Sequence, residues 1–106
     1  MATLTNDESD KRRARRVQYP CEVRCQGATT LLARLSDLSS TGAFIDSMTQ
    51  LPIGVRVTLR FTLPSGPILL DADVVHAMPN FGIGVNFVEL TREQFDALEQ
   101  FVHQQS

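Results

Sequence analysis

Val-Arg-Val-Thr-Leu-Arg-Phe-Thr-Leu, residues 55–63, alternates apolar and polar side chains without a break. Period two belongs to a strand with one face in a core and the other in water, so Val55, Val57, Leu59, Phe61 and Leu63 form the inward set. Pro64-Ser65-Gly66-Pro67 follow, and two prolines and a glycine in four positions force a reversal. Residues 68–78 then read as a long strand, and a Pro79-Asn80 turn leads to another at 81–88. The core face of that last strand is Phe81, Ile83, Val85 and Phe87, with Gly82 and Gly84 opposite. On the N-terminal side, Pro52 and Gly54 mark a loop that closes a short strand through Ala43, Phe44 and Ile45. Farther back, residues 29–36 place Leu31, Ala33 and Leu35 inward. A first strand from Val17 sets Tyr19, Cys21, Val23 and Cys25 against Glu22, Arg24 and Gln26, with Pro20 suited to an edge or a strand start.

After residue 90 the period changes. Thr91 and Gln94 have the spacing of a capping box, Glu93 and Asp96 sit near the positive end of the helix dipole, and Phe95, Leu98, Phe101 and Val102 make one apolar stripe. The pattern predicts one amphipathic helix of about four turns. Six strands joined by short reversals and one terminal helix predict an all-β fold, a six-stranded antiparallel β-barrel with the C-terminal α-helix packed over an opening or seam.

The 106 residues have room for one core, and 42% hydrophobic residues suits a soluble globular domain. The net charge of −2 hides an asymmetry. Residues 1–16 hold five basic and three acidic groups; the remainder holds five basic against nine acidic. Positive charge is thus confined to a leading arm, read as a flexible tail over residues 1–10 and the start of a single domain spanning 11–106. Nine of the ten cations are arginine, which favours forked recognition of planar acceptors. Cys21 and Cys25 share a strand face with Cα atoms about 13 Å apart, too far to pair, so two reduced, buried thiols are expected. No apolar leader and no stretch of spanning length is present in these residues, and the expected location is the cytoplasm.

Two stretches carry chemistry. Lys11-Arg12-Arg13-Ala14-Arg15-Arg16 offers guanidinium groups suited to phosphates and guanine edges, and Asp37-Leu38-Ser39-Ser40-Thr41-Gly42 reads as a turn in which Gly42 meets either a tight bend with positive φ or a close backbone approach. Singly, the first is a solvated basic tail and the second a self-capped turn. Together, Arg12-x-x-x-Arg16 before the first strand and Asp37-x-Ser39-x-x-Gly42 between the second and third resemble the PilZ domain family, as do Gly84-Val85-Asn86-Phe87 and the closing helix. The resemblance runs from Arg12 to the helix. It implies a split-barrel fold and a receptor for cyclic di-GMP, with Arg12, Arg16, Asp37, Ser39 and Gly42 as ligand-binding positions and no cofactor. Chemistry agrees: an arginine fork matches guanine O6 and N7, the Asp37 carboxylate can take the N1 and N2 hydrogens, Ser39 can donate to a phosphate or base, and Arg13 can assist a phosphate. Arg15 is expected to be solvated.

No enzyme is read here. Ser39 lacks a nucleophile context, and Asp71 and Asp73 look like a solvated edge. His76 shares the parity of Leu70 and Val74, which predicts a partly buried histidine. The reading is a cytoplasmic, bacterial second-messenger receptor whose arm changes conformation on binding and which signals to a downstream protein partner in control of motility, biofilm or exopolysaccharide. Two other readings compete, a small nucleic-acid-binding barrel using the arm and a PilZ-like adaptor that binds no nucleotide. The acidic body, the scarcity of exposed aromatic residues for stacking and the confinement of charge to the arm weigh against the first, the complete motif pair against the second.

Overall fold

The structure, a computed structural model, describes residues 15–27 and 29–105. The expected tail at 1–10, the arm conformation, and the positions of Arg12 and Arg13 lie outside the described residues. Six antiparallel strands run β1 (Val17–Gln26), β2 (Thr30–Leu38), β3 (Gly42–Asp46), β4 (Arg56–Leu63), β5 (Gly66–Met78) and β6 (Gly82–Val88), followed by helix α1 (Arg92–Gln104). They close into a barrel in the order β1-β2-β3-β6-β5-β4. Closure pairs every strand on both sides, which removes the exposed edges that invite aggregation.

The alternation of β4 is obeyed residue by residue. Val57, Leu59, Phe61 and Leu63 are buried and meet Val23, Cys25, Leu35, Leu70, Val74, Ile83 and Val85 in one core. α1 closes that core with Leu98, Phe101 and Val102, and its N-terminus carries the expected capping box, Thr91 Oγ1 accepting from Gln94 N–H at 3.0 Å while Gln94 Oε1 accepts from Thr91 N–H at 3.1 Å. The β1–β4 seam is the short one, paired only from Arg24 to Gln26. Where the two strands part, Tyr19 bridges them. Its hydroxyl donates to the Thr62 carbonyl at 2.6 Å, and its ring meets Phe101 edge-on at 4.6 Å.

Three expectations are corrected. Phe81 does not join the core face; it is 68% exposed, because the reversal after β5 takes in residue 81, with Asn80 at φ 70° and Phe81 N–H donating to Met78 O at 2.9 Å. His76 is not partly buried but exposed, because a bulge between Val74 and His76 inserts Val75 and reverses the alternation. Gly42 is not a bend residue with positive φ. It is the first residue of β3, paired with Asn86 of β6, and a methyl there would overlap the Val85 carbonyl oxygen. Close approach of two strands is therefore what requires glycine.

Candidate ligand site

The two motifs meet. Arg16, one residue before β1, and Asp37, near the end of β2, face each other with Arg16 Nε 3.5 Å from Asp37 Oδ1. Pairing of Val17 with Leu38 and of Gln18 with Asp37 is what brings them together, so the contact follows from strand register. At 3.5 Å the pair is within ion-pair range but outside a well-formed hydrogen bond. Oδ1 is buried and has no hydrogen-bond donor among the described residues, although the Asp37 side chain as a whole is 32% exposed. A buried carboxylate oxygen without a donor is costly, and a donor-rich ligand would relieve it.

Asp37 begins an outward-facing row. Register links Gln18, Asp37, Phe44, Gly84 and His76 across five strands, and the inward row beside it is Leu38, Ala43, Val85 and Val74. At about 4.8 Å per strand the outward row spans roughly 14 Å from Asp37 to His76. Its middle is low because β6 contributes Gly82 and Gly84, with the Phe44 ring lying over Gly82 and the His76 side chain leaning against Gly84. The result is a groove of about 520 Å³, open to solvent and lined by Arg16, Thr41, Val75, His76, Gly84 and Asn86. The His76 imidazole supplies a π-face, and the Arg16 guanidinium and Asn86 supply polar groups.

Ser39 has a different place from the one its chemistry suggested. It is fully buried, and its hydroxyl accepts from Thr41 N–H at 3.1 Å and Gly42 N–H at 3.0 Å while lying 3.2 Å from Gly42 O and from Thr41 Oγ1. Those bonds use its donor and acceptor capacity within the turn. The Ser39 N–H also donates to Gly42 O at 2.9 Å, and Thr41 O accepts from Phe87 N–H at 2.9 Å, so the turn is fastened to itself and to β6. Ser39 and Gly42 shape the turn that carries Thr41 and follows Asp37 at the end of β2; Arg16 lines the groove, with Asp37 against it at 3.5 Å. Arg15 is exposed at the rim of a neighbouring shallow depression.

His76, Thr41 and Asn86 line the groove, though the sequence alone names none of them as a ligand-binding position. The sole signal for His76 was a strand ladder whose parity it appeared to obey, and the bulge inverted that parity. Other acidic residues are occupied elsewhere: Arg56 Nε donates to Asp73 at 2.9 Å and Thr58 Oγ1 to Asp71 at 3.0 Å. The Arg56 hydrogen bond holds the Asp73 carboxyl below the usual carboxylate range. Among the described residues no group of three or more His, Cys, Asp or Glu is placed to hold a metal ion, and no helix is long and apolar enough to cross a membrane.

The sequence matches the PilZ domain family over residues 10–104. This chain belongs to the PilZ domain family. Among curated proteins no sequence matches it. Solved structures share the fold at low identity. The inhibitor of motility MotI/DgrA from Bacillus subtilis superposes with a TM-score of 0.78 at 16% identity, over 87% of this chain and 49% of that one, so this PilZ chain spans about half of that neighbour. The PilZ domain of YcgR from Escherichia coli, solved with c-di-GMP, gives 0.69 at 19% identity, over 90% of this chain and 91% of that one. The PilZ domain of CeSA from a cellulose-synthesizing bacterium gives 0.67 at 18%, over 88% of this chain and all (100%) of that one.

Proposed function

We propose that this PilZ domain is a receptor for cyclic di-GMP, without catalytic activity, that occupies residues 11–106 and signals through its N-terminal arm. The observation that carries the reading is the Arg16–Asp37 contact, which joins a buried carboxylate oxygen with no donor among the described residues to an arginine that lines the groove. Guanine presents N1–H and N2–H donors on one edge and O6 and N7 acceptors on another, so one base can satisfy Asp37 and engage an arginine fork together. Arg12 and Arg13 join Arg16 on the nucleotide, and Phe44 and His76 flank it. Ser39 and Gly42 act by holding the turn. The YcgR domain, solved with c-di-GMP, is a neighbour in fold and supports the ligand assignment by analogy.

Residues 11–16 carry five like charges and no apolar residue but Ala14, so nucleotide phosphates are the natural partners that fix them. Binding draws the arm over the groove, and the new surface of arm, nucleotide and barrel is read by a protein partner. Calorimetry with cyclic di-GMP tests the ligand. Saturable heat with intact nucleotide afterwards is expected, with Arg16→Ala costing about 2 kcal/mol and Arg15→Ala little. No heat at about 100 µM nucleotide in low salt, a range that any specific receptor exceeds, or release of a hydrolysis product, overturns the reading. Amide exchange tests the arm: added protection belongs at residues 11–18 and 36–43, and an arm whose exchange is the same with and without nucleotide overturns that part.

A further inference from the structure

On the side of the barrel away from the groove, one register row runs Leu32, Arg24, Arg60, Leu69 across β2, β1, β4 and β5. All four side chains face solvent, Leu32 at 65% and Leu69 at 55% exposure. Arg24 and Arg60 are direct cross-strand partners, so two positive charges sit on Cα atoms about 5 Å apart. Like charges in that relation oppose folding. Neither has an ion-pair partner within reach among the described residues, whereas Arg56 pairs with Asp73 and Glu89. Glu22 borders the same depression, of about 280 Å³, but faces Arg34 across β2. Of the five arginines after residue 16, namely Arg24, Arg34, Arg56, Arg60 and Arg92, three therefore gather on this wall of an otherwise acidic body. The patch is also held firm. Gln94 of α1 donates to the Leu69 carbonyl at 2.6 Å, and Tyr19 ties β1 to Thr62 beside Arg60.

We infer that this wall is a docking surface for an acidic, amphipathic helix of a partner protein. Two glutamates one turn apart on a helix are separated by about 5–6 Å, which matches the spacing of the two guanidinium-bearing positions. The apolar residues beside them would cover Leu32 and Leu69, and the bound carboxylates would remove the repulsion that the free barrel carries. A nucleic-acid strand fits less well, since its phosphates would leave both leucines uncovered and meet three cations beside Glu22 and Asp46. In the barrel order the β1–β4 seam lies opposite the β3–β6 seam that carries the groove. Docking here is thus independent of the nucleotide, and leaves the arm and groove free to present a second, ligand-dependent surface to the same partner.

The test titrates the whole, isotopically labelled chain with a synthetic helical peptide carrying two glutamates one turn apart beside two leucines. A peptide with lysine for glutamate and a single-stranded RNA of equal charge to the acidic peptide are separate arms. Expected are saturable shifts confined to the Arg24 and Arg60 side-chain N–H and the Leu32 and Leu69 methyl signals, unchanged by cyclic di-GMP and weakened about tenfold in R24E. Because Arg24→Glu also replaces a repulsive pair with an attractive one, its unfolding midpoint should rise. The proposal is overturned by the absence of saturable shifts at about 1 mM acidic peptide, the weak end of specific recognition. Equal response to the lysine peptide, tighter binding of the RNA, or concentration-dependent shifts of the chain alone, which would assign the wall to a second copy, overturn it equally. So does a fall in the midpoint of R24E, which would make the pair a structural one.

Discussion

Ser39 and Gly42 are motif residues whose contacts in the structure are with their own turn and with β6. The buried Ser39 hydroxyl serves two backbone N–H groups, so Ser39→Ala leaves those donors without an acceptor. The expected cost is about 1–3 kcal/mol of folding stability, read by urea unfolding. Gly42→Ala forces a methyl into the Val85 carbonyl and separates β3 from β6, with a cost of about 2 kcal/mol or more by the same measurement. A nucleotide-contact role alone would leave both midpoints unchanged. His76 should behave in the opposite way. It is exposed and leans on Gly84 over the groove, so His76→Ala should leave the unfolding midpoint alone and weaken cyclic di-GMP about tenfold, the scale of one lost stacking contact. Equal affinity of the variant and the parent chain in calorimetry would remove His76 from the site.

Strands and helix were legible because each carries its own period. The polar-apolar alternation of 55–63 appears in β4 as alternating exposure and burial, and the Thr91–Gln94 spacing appears as the capping box of α1. What could not be read are two of the three register shifts, between Leu35 and Asp37 and between Val74 and His76, where an extra residue enters without the proline that marks the one between Gln18 and Cys21. Both fall in the site. The first turns Asp37 outward beside Arg16, the second turns His76 outward over Gly84, and so the motif residues were foreseeable while their companions were not. The seam closed by Tyr19 and Phe101 also makes a prediction for the elements it joins. Burial raises the Tyr19 phenol, with Cys21 adding to it; burial raises the Cys21 thiol against a smaller opposing pull from Arg34, and raises the Cys25 thiol. The folded chain then keeps protons that the unfolded chain releases. Stability from these groups is full below their ordinary pKa values and falls as pH rises through them toward the raised folded values, a window of about pH 8.5 and above. Unfolding midpoints should drop across that window, and Cys25→Ser should flatten the part due to its thiol; a midpoint constant up to about pH 10 would contradict the assignment.

For the whole molecule, the barrel is a rigid support with polar work placed on its outer wall. Among the described residues nineteen buried apolar ones occupy one core, and none of the groove's side chains that face solvent, Arg16, Thr41, His76 or Asn86, belongs to it. On the proposed reading the groove side chains add little to the core, so binding raises stability mainly through mass action. A ligand that binds the folded barrel and not the unfolded chain stabilises it by RT ln(1 + [L]/Kd), about 2.7 kcal/mol at a hundredfold excess over Kd. For a domain of this size that corresponds to a rise of very roughly 10 °C in midpoint, at about 4–8 °C per kcal/mol near the transition and with loss of affinity on heating. The shift should keep growing with the logarithm of cyclic di-GMP concentration and fall to about a third in Arg16→Ala at that concentration, the result of a loss of about 2 kcal/mol in affinity. Salt separates this from diffuse attraction to the arm, since a bidentate, partly buried contact at Asp37 is screened less than exposed charge. A thermal shift that GTP reproduces at equal concentration, or that disappears at about 0.5 M salt, would mean that the arm attracts anions without the groove recognising guanine.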